Sequence, residues 1–113
     1  MALKKRHPPL TRKQADIHYV LDGHEPVFEP DFLKWAQWFE TANRIVKQTR
    51  SNNGGVMVST VFLGLDHSFM GGRPVLFETM IFGGPLDGYQ KRYYTWAEAE
   101  QGHEEAVKIA DLI

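Results

Sequence analysis

The chain has 113 residues, of which 42% are hydrophobic and 24% are charged, close to the averages of a globular domain. It contains no cysteine, which excludes disulfides, a thiolate zinc site and a thiol nucleophile and fits a reducing cytoplasm. Thirteen basic and fourteen acidic residues give a net charge of −1, so we do not expect specific nucleic-acid binding. No apolar run reaches the ~18 residues of a membrane helix, and MALKKRHPPL lacks the apolar centre of a secretion signal. We therefore expect no membrane partner.

The first thirteen residues carry basic side chains and no acidic one. His7-Pro8-Pro9 disfavours a helix there, so the pattern predicts a flexible basic arm over residues 1–13. An arm that touches phosphates or an acidic partner is the alternative interpretation. We expect residues 14–113 to form a single domain.

The first half of this domain contains an extended piece and a helix. Residues 14–29 alternate in hydrophobicity around Asp22-Gly23, which is a turn signal. Residues 30–43 then predict a helix, because Phe32, Trp35 and Phe39 recur at the spacing of one helical face. Pro30 suits the first turn of that helix.

From Arg44 the pattern changes to the period of β-strands. RIVKQTR and VMVSTVFLGLD flank SNNGG and predict a hairpin, and VLFETMIF and KRYYT predict two further strands. Thr95-Trp96-Ala97-Glu98 has the spacing of a capping box and opens a predicted helix at about 96–112. The order predicts an α+β fold, an antiparallel meander of about four strands with two helices packed on one face.

The two middle strands, roughly 56–65 and 75–82, are apolar on both faces. A strand of this kind must be covered on both sides, and two helices on one face leave the other uncovered. We therefore predict a homo-oligomer that forms in part through the sheet.

Cationic residues alternate with aromatic ones in this half of the chain and suggest a seat for an anionic, ring-containing ligand. Arg44, Lys47, Arg73 and Arg92 would contact phosphate, and Phe69, Tyr94 and Trp96 would stack on a base. Ordinary exposed charges are the alternative. Glu78 shares a strand face with apolar residues, so it must meet a cation, a hydrogen-bond donor or the ligand.

Asp66-His67 ends a strand and enters a glycine-rich loop. With Glu78, these residues would form the metal site of a hydrolase; alternatively, Asp66 only caps the turn. The sequence has no HExxH, no GxSxG, and no P-loop or dinucleotide fingerprint. We therefore expect no cofactor and assign no catalytic residue, which favours a binding protein over an enzyme.

The pieces VSTVFLGLDH, LFETM and YTWAEAEQGH together resemble a family of small proteins encoded by bacteriophages and prophages. The similarity extends over roughly residues 18–107. The family has no agreed activity, so the resemblance implies a setting, the cytoplasm of an infected bacterium, and no site residue.

These observations lead to one expectation with two alternatives. The chain is expected to be a non-enzymatic phage accessory protein that sequesters an anionic, nucleotide-type signal of host defence. The alternatives are an inhibitor that binds a host protein directly and the metal-assisted hydrolase.

Overall fold

The computed structural model describes residues 17–68 and 71–112. The predicted basic arm over residues 1–13 and Phe69 lie outside the described residues. Within them the order of elements is β1 (Tyr19–Asp22), β2 (Glu25–Phe28), α1 (Phe32–Thr41), β3 (Ile45–Arg50), β4 (Met57–Phe62), β5 (Phe77–Phe82), β6 (Gln90–Tyr93) and α2 (Trp96–Ile109). The predicted α+β class is confirmed. No helix in this part of the chain is long and apolar enough to cross a bilayer.

The first unit is a small hairpin, β1–β2, with α1 packed against β1. Its turn follows Asp22, as predicted, and Gly23 adopts a positive φ of 61° there. The buried Trp35 of α1 fixes the hairpin, because its Nε1 donates to the carbonyls of Tyr19 and Gly64 at 3.1 and 3.0 Å. Gly64 has no room for a Cβ, which would lie 2.9 Å from the ring of Phe39.

Helix α1 is shorter than the predicted range of 30–43. Asp31 is extended and accepts hydrogen bonds from the backbone of Leu33 and Lys34, which makes it the N-cap. Pro30 therefore precedes the helix instead of occupying its first turn. Ala42 is extended again and ends the helix.

The main unit is a four-stranded antiparallel sheet in the order β3-β4-β5-β6, which confirms the predicted meander. Helix α2 packs across all four strands. The predicted capping box is present, since Thr95 and Glu98 satisfy each other's backbone N–H groups. The sheet pairs Val58 with Ile81 and Phe62 with Phe77 beneath this helix, and these four side chains are fully buried.

The two helices do not share the sheet in the predicted way. Only α2 lies along the inner face, whereas α1 packs mainly on β1 and reaches the sheet through Trp38, whose ring meets Phe62 edge-on at 5.9 Å. The tie between Trp35 and the hairpin explains this position.

A chain of polar side chains, buried except for the half-buried Thr49, crosses the inner face. The His103 ring contacts the hydroxyls of Thr49 at 2.9 Å and Thr60 at 2.7 Å. Thr60 in turn contacts the Thr79 hydroxyl at 2.5 Å, and the Tyr93 hydroxyl donates to Thr79 at 3.1 Å. We call these five side chains the His103 network; they link every strand of the sheet to α2. Burial raises the pKa of Tyr93 and lowers that of His103.

The outer face of the sheet is covered by no described helix, and it is less apolar than the sequence suggested. The middle strands contribute the expected apolar residues, among them Met57, Val61, Met80 and Phe82. The edge strands add polar side chains to the same face, including Gln48 opposite Ser59 and Arg92 opposite Glu78. The need for a second copy is correspondingly weaker, and homo-oligomer formation stays a prediction.

Candidate functional site

An open cavity lies where three segments meet: the β1–β2 turn, the loop before β5 and the start of α2. It has a volume of about 510 Å³. We call it the Trp96 groove; the lining side chains that bear on its chemistry are His24, Glu25, Arg73, Tyr94, Trp96 and Glu100. Three predicted site residues, Arg73, Tyr94 and Trp96, therefore come together.

The capping box places the two aromatic residues of this groove. The Glu98 carboxylate accepts from the backbone N–H groups of Tyr94 and Thr95 at 3.0 and 3.1 Å. The Thr95 hydroxyl accepts from the backbone N–H of Glu98 at 3.1 Å. These bonds fix the chain on both sides of the N-cap, so Tyr94 and Trp96 flank a rigid point of the backbone.

The rings of Trp96 and Tyr94 each already carry a group of the chain itself. The His24 imidazole stacks on the Trp96 indole, with ring centroids 3.7 Å apart and planes inclined by 5°. The Arg73 guanidinium lies 4.4 Å from the centre of the Tyr94 ring. The Trp96 Nε1 is buried, and no acceptor for it lies among the described residues. The groove thus offers ring faces, whereas the indole N–H lies buried beside it.

The charges of the groove are mixed. Arg73 faces the same cavity as the carboxylates of Glu25 and Glu100. A ligand with several negative charges would meet one cationic and two anionic side chains in the groove, and repulsion by the two carboxylates makes its binding unfavourable. A ligand with one anionic group fits this balance better.

Two of the predicted phosphate-binding residues, Arg44 and Lys47, make structural contacts outside the groove. The Arg44 Nη1 donates to the carbonyl of Phe62 at 2.9 Å, and its guanidinium covers the ring of Phe39 at 4.0 Å. Burial lowers the pKa of Arg44. Lys47 contacts Glu104 of α2 at 2.6 Å, and this ion pair lowers the pKa of Glu104.

Arg92 and Glu78 form a separate pair on the outer face of the sheet. The Arg92 Nε donates to the Glu78 carboxylate at 2.9 Å, and Gln90 donates to the same oxygen at 2.5 Å. The expectation that Glu78 meets a cation is confirmed. The Trp96 groove is not lined by Arg44, Lys47, Arg92 or Glu78: Arg44 bonds to a backbone carbonyl, and Lys47 and Arg92 pair with carboxylates.

The proposed metal triad is also not assembled. The Asp66 carboxylate accepts from the backbone N–H groups of Ser68 and Val75 at 2.8 and 2.9 Å, so it caps its loop. The His67 Nδ1 donates to the carbonyl of Leu65 at 2.8 Å. Over residues 17–68 and 71–112, no three histidine or acidic side chains converge to hold a metal ion. Asp66, His67 and Glu78 therefore do not form the metal site of a hydrolase.

Sequence reasoning missed three residues of the groove: His24, Glu25 and Glu100. Glu100 follows Trp96 by four positions and could have been placed on the same face of the predicted helix. His24 and Glu25 reach the groove only because the β1–β2 turn folds over α2, a contact that no local pattern reveals.

Comparisons of the chain with family models, with curated proteins and with solved structures find no match.

Proposed function

We propose that the chain is a non-enzymatic binding protein whose Trp96 groove takes a small ligand with a flat ring and a single anionic group, such as a nucleoside monophosphate. The observation that carries the proposal is the meeting of a guanidinium and two aromatic rings in one cavity of about 510 Å³. A cavity of this size suits a small-molecule ligand.

The side chains of the groove divide the recognition between them. Arg73 can donate two parallel hydrogen bonds to a phosphate, and Trp96 offers a face for a base. Glu25 and Glu100 are acceptors, suited to the hydroxyl groups of a ribose or the amino group of a base. Additional phosphates would approach these carboxylates, so the proposal excludes nucleoside di- and triphosphates as preferred ligands.

Binding, not catalysis, is proposed because a reactive pair is missing from the groove. In the described part of the chain, histidine contacts to hydroxyls are those of His103 with Thr49 and Thr60. The His103 ring is fully buried and does not line the groove, so it cannot reach a ligand bound there.

The biological setting belongs to the same proposal. The sequence resemblance to phage-encoded proteins suggests a role in the cytoplasm of an infected bacterium. A protein of this kind would bind a nucleotide signal of host defence and so lower its free concentration.

Calorimetry tests the proposed function. We expect AMP to bind the protein with a Kd at or below about 10 µM, roughly −7 kcal/mol, and ATP to bind at least tenfold more weakly. Arg73→Gln should weaken AMP binding at least tenfold, whereas Arg92→Gln, the same change outside the groove, should leave it unchanged. No binding by any nucleoside monophosphate at 10 µM would overturn the proposal.

A second candidate function is favoured by Glu25 and Glu100. Two carboxylates beside aromatic faces also suit the guanidinium of an arginine in a protein partner, which would make the chain an inhibitor of a host protein. An arginine-containing peptide distinguishes the two candidates. Glu100→Gln should weaken peptide binding if the partner is a protein, and it should not weaken AMP binding if the ligand is a nucleotide, because the Gln oxygen still accepts a hydrogen bond.

A further inference from the structure

The stack of His24 on Trp96 has the geometry that a bound base would adopt. Parallel rings 3.7 Å apart are in full face-to-face contact. Phe77, which is fully buried, contacts the indole from the core, with ring planes inclined by 86°. Because His24 and Trp96 both line the groove, the indole face that His24 covers borders it.

His24 is held weakly in this position. The strands of the hairpin pair up to Asp22 and Glu25, so only Gly23 and His24 lie in the turn beyond them. His24 is exposed, and within residues 17–68 and 71–112 no hydrogen bond fixes its ring. A rotation of its side chain is enough to uncover Trp96, and no strand contact has to break.

We infer that His24 is a placeholder: its imidazole occupies the stacking face of Trp96 in the free protein, and the ring of the ligand replaces it on binding. This inference rests on the proposed function and adds a rule of ligand selection. A ligand must stack on the indole better than an imidazole does, and stacking increases with the area of the ring. The two-ring system of a purine satisfies this condition better than a pyrimidine, so the inference names a purine nucleoside monophosphate as the ligand class.

Removal of the placeholder should strengthen binding. We expect His24→Ala to bind AMP about 3- to 10-fold more tightly than the wild-type protein, because the ligand no longer competes with an internal stack. His67→Ala, at an exposed histidine outside the groove, should bind AMP like the wild type. We also expect CMP to bind several-fold more weakly than AMP to the wild type and to gain the same factor as AMP from His24→Ala, because both ligands displace the same internal stack. Weaker AMP binding by His24→Ala would show that His24 is a permanent wall of the site and would overturn the inference.

Proton NMR gives a readout that does not depend on affinity. The ring current of Trp96 should shift the His24 ring protons upfield in the free protein, and saturating AMP should return them to the values of an exposed histidine. If AMP binds and the His24 signals do not move, the inference fails and the proposed function stands. If no nucleoside monophosphate binds the wild type, both fail together.

Discussion

The first turn and the middle of α2 border regions of opposite character. Around His103 every polar side chain of the buried network has a partner, and the network spans the sheet from Thr49 to Tyr93. Around Trp96 the indole N–H has no acceptor in the described residues, and the rings are covered by an exposed histidine and an exposed arginine. Complete pairing is what a structural core requires, whereas the exposed and replaceable contacts around Trp96 are the basis of the binding function proposed for that region.

The largest expected effect on stability comes from a substitution that adds an atom next to the His103 network. Gly102 lies on α2 where an added Cβ would be 2.1 Å from the Tyr93 hydroxyl oxygen. Gly102→Ala must displace Tyr93 or the helix, so we expect a loss of about 3 kcal/mol in the free energy of unfolding, measured by urea titration. Gln101→Ala, at the exposed neighbouring position, should change it by less than about 0.5 kcal/mol. Equal effects of the two substitutions would contradict the tight contact between α2 and β6.

Removal of His103, the central member of the network, should lower the free energy of unfolding nearly as much as Gly102→Ala does. His103→Leu introduces an apolar side chain of similar size, and it leaves the Thr49 and Thr60 hydroxyls without their histidine partner. We expect a loss of about 2–3 kcal/mol in the free energy of unfolding. Thermal unfolding of this variant beside His67→Leu, whose side chain is exposed, provides the control. A stable His103→Leu variant would mean that the polar network contributes nothing over an apolar core.

Much of this contrast could be predicted from local sequence, and some could not. The capping box at Thr95, the hairpin around SNNGG and the need of Glu78 for a partner follow from residues a few positions apart or from one strand face. The separation of the cationic residues could not be predicted from local sequence, because Lys47 pairs with Glu104, which is 57 positions away. Such pairing depends on the strand register and on where α2 crosses the sheet. The stack of His24 on Trp96 is non-local in the same way. Tyr94 and Trp96 could therefore be predicted as site residues from local sequence, whereas the contribution of the β1–β2 hairpin could not.

Two tryptophans allow a matched comparison of a used and an unused indole N–H. Trp35 Nε1 donates to two carbonyls, whereas Trp96 Nε1 has no acceptor in the described residues. Replacement by phenylalanine removes the donor and the same ring volume at each position. We expect Trp35→Phe to lower the free energy of unfolding by about 1–2 kcal/mol more than Trp96→Phe does. Chemical denaturation of the two variants measures the difference, and equal losses would contradict the distinction between a structural and a binding tryptophan.

The smallest expected effect is a dependence of stability on pH. Burial lowers the pKa of His103 below its usual 6.5, with a further lowering by Lys47 that is opposed by Glu104. The unfolded chain therefore binds a proton at His103 more readily than the folded protein does, so the contribution of this group is complete above pH 6.5 and is lost as the pH falls towards the lowered value. We expect the wild type to lose stability more steeply than His103→Leu between pH 6.5 and 5, with a difference in slope of at most about 1.4 kcal/mol per pH unit. Urea titrations of both proteins across this range measure the slopes. Parallel pH profiles would show that the ring titrates as it does in the unfolded chain, which would contradict its place in a closed network.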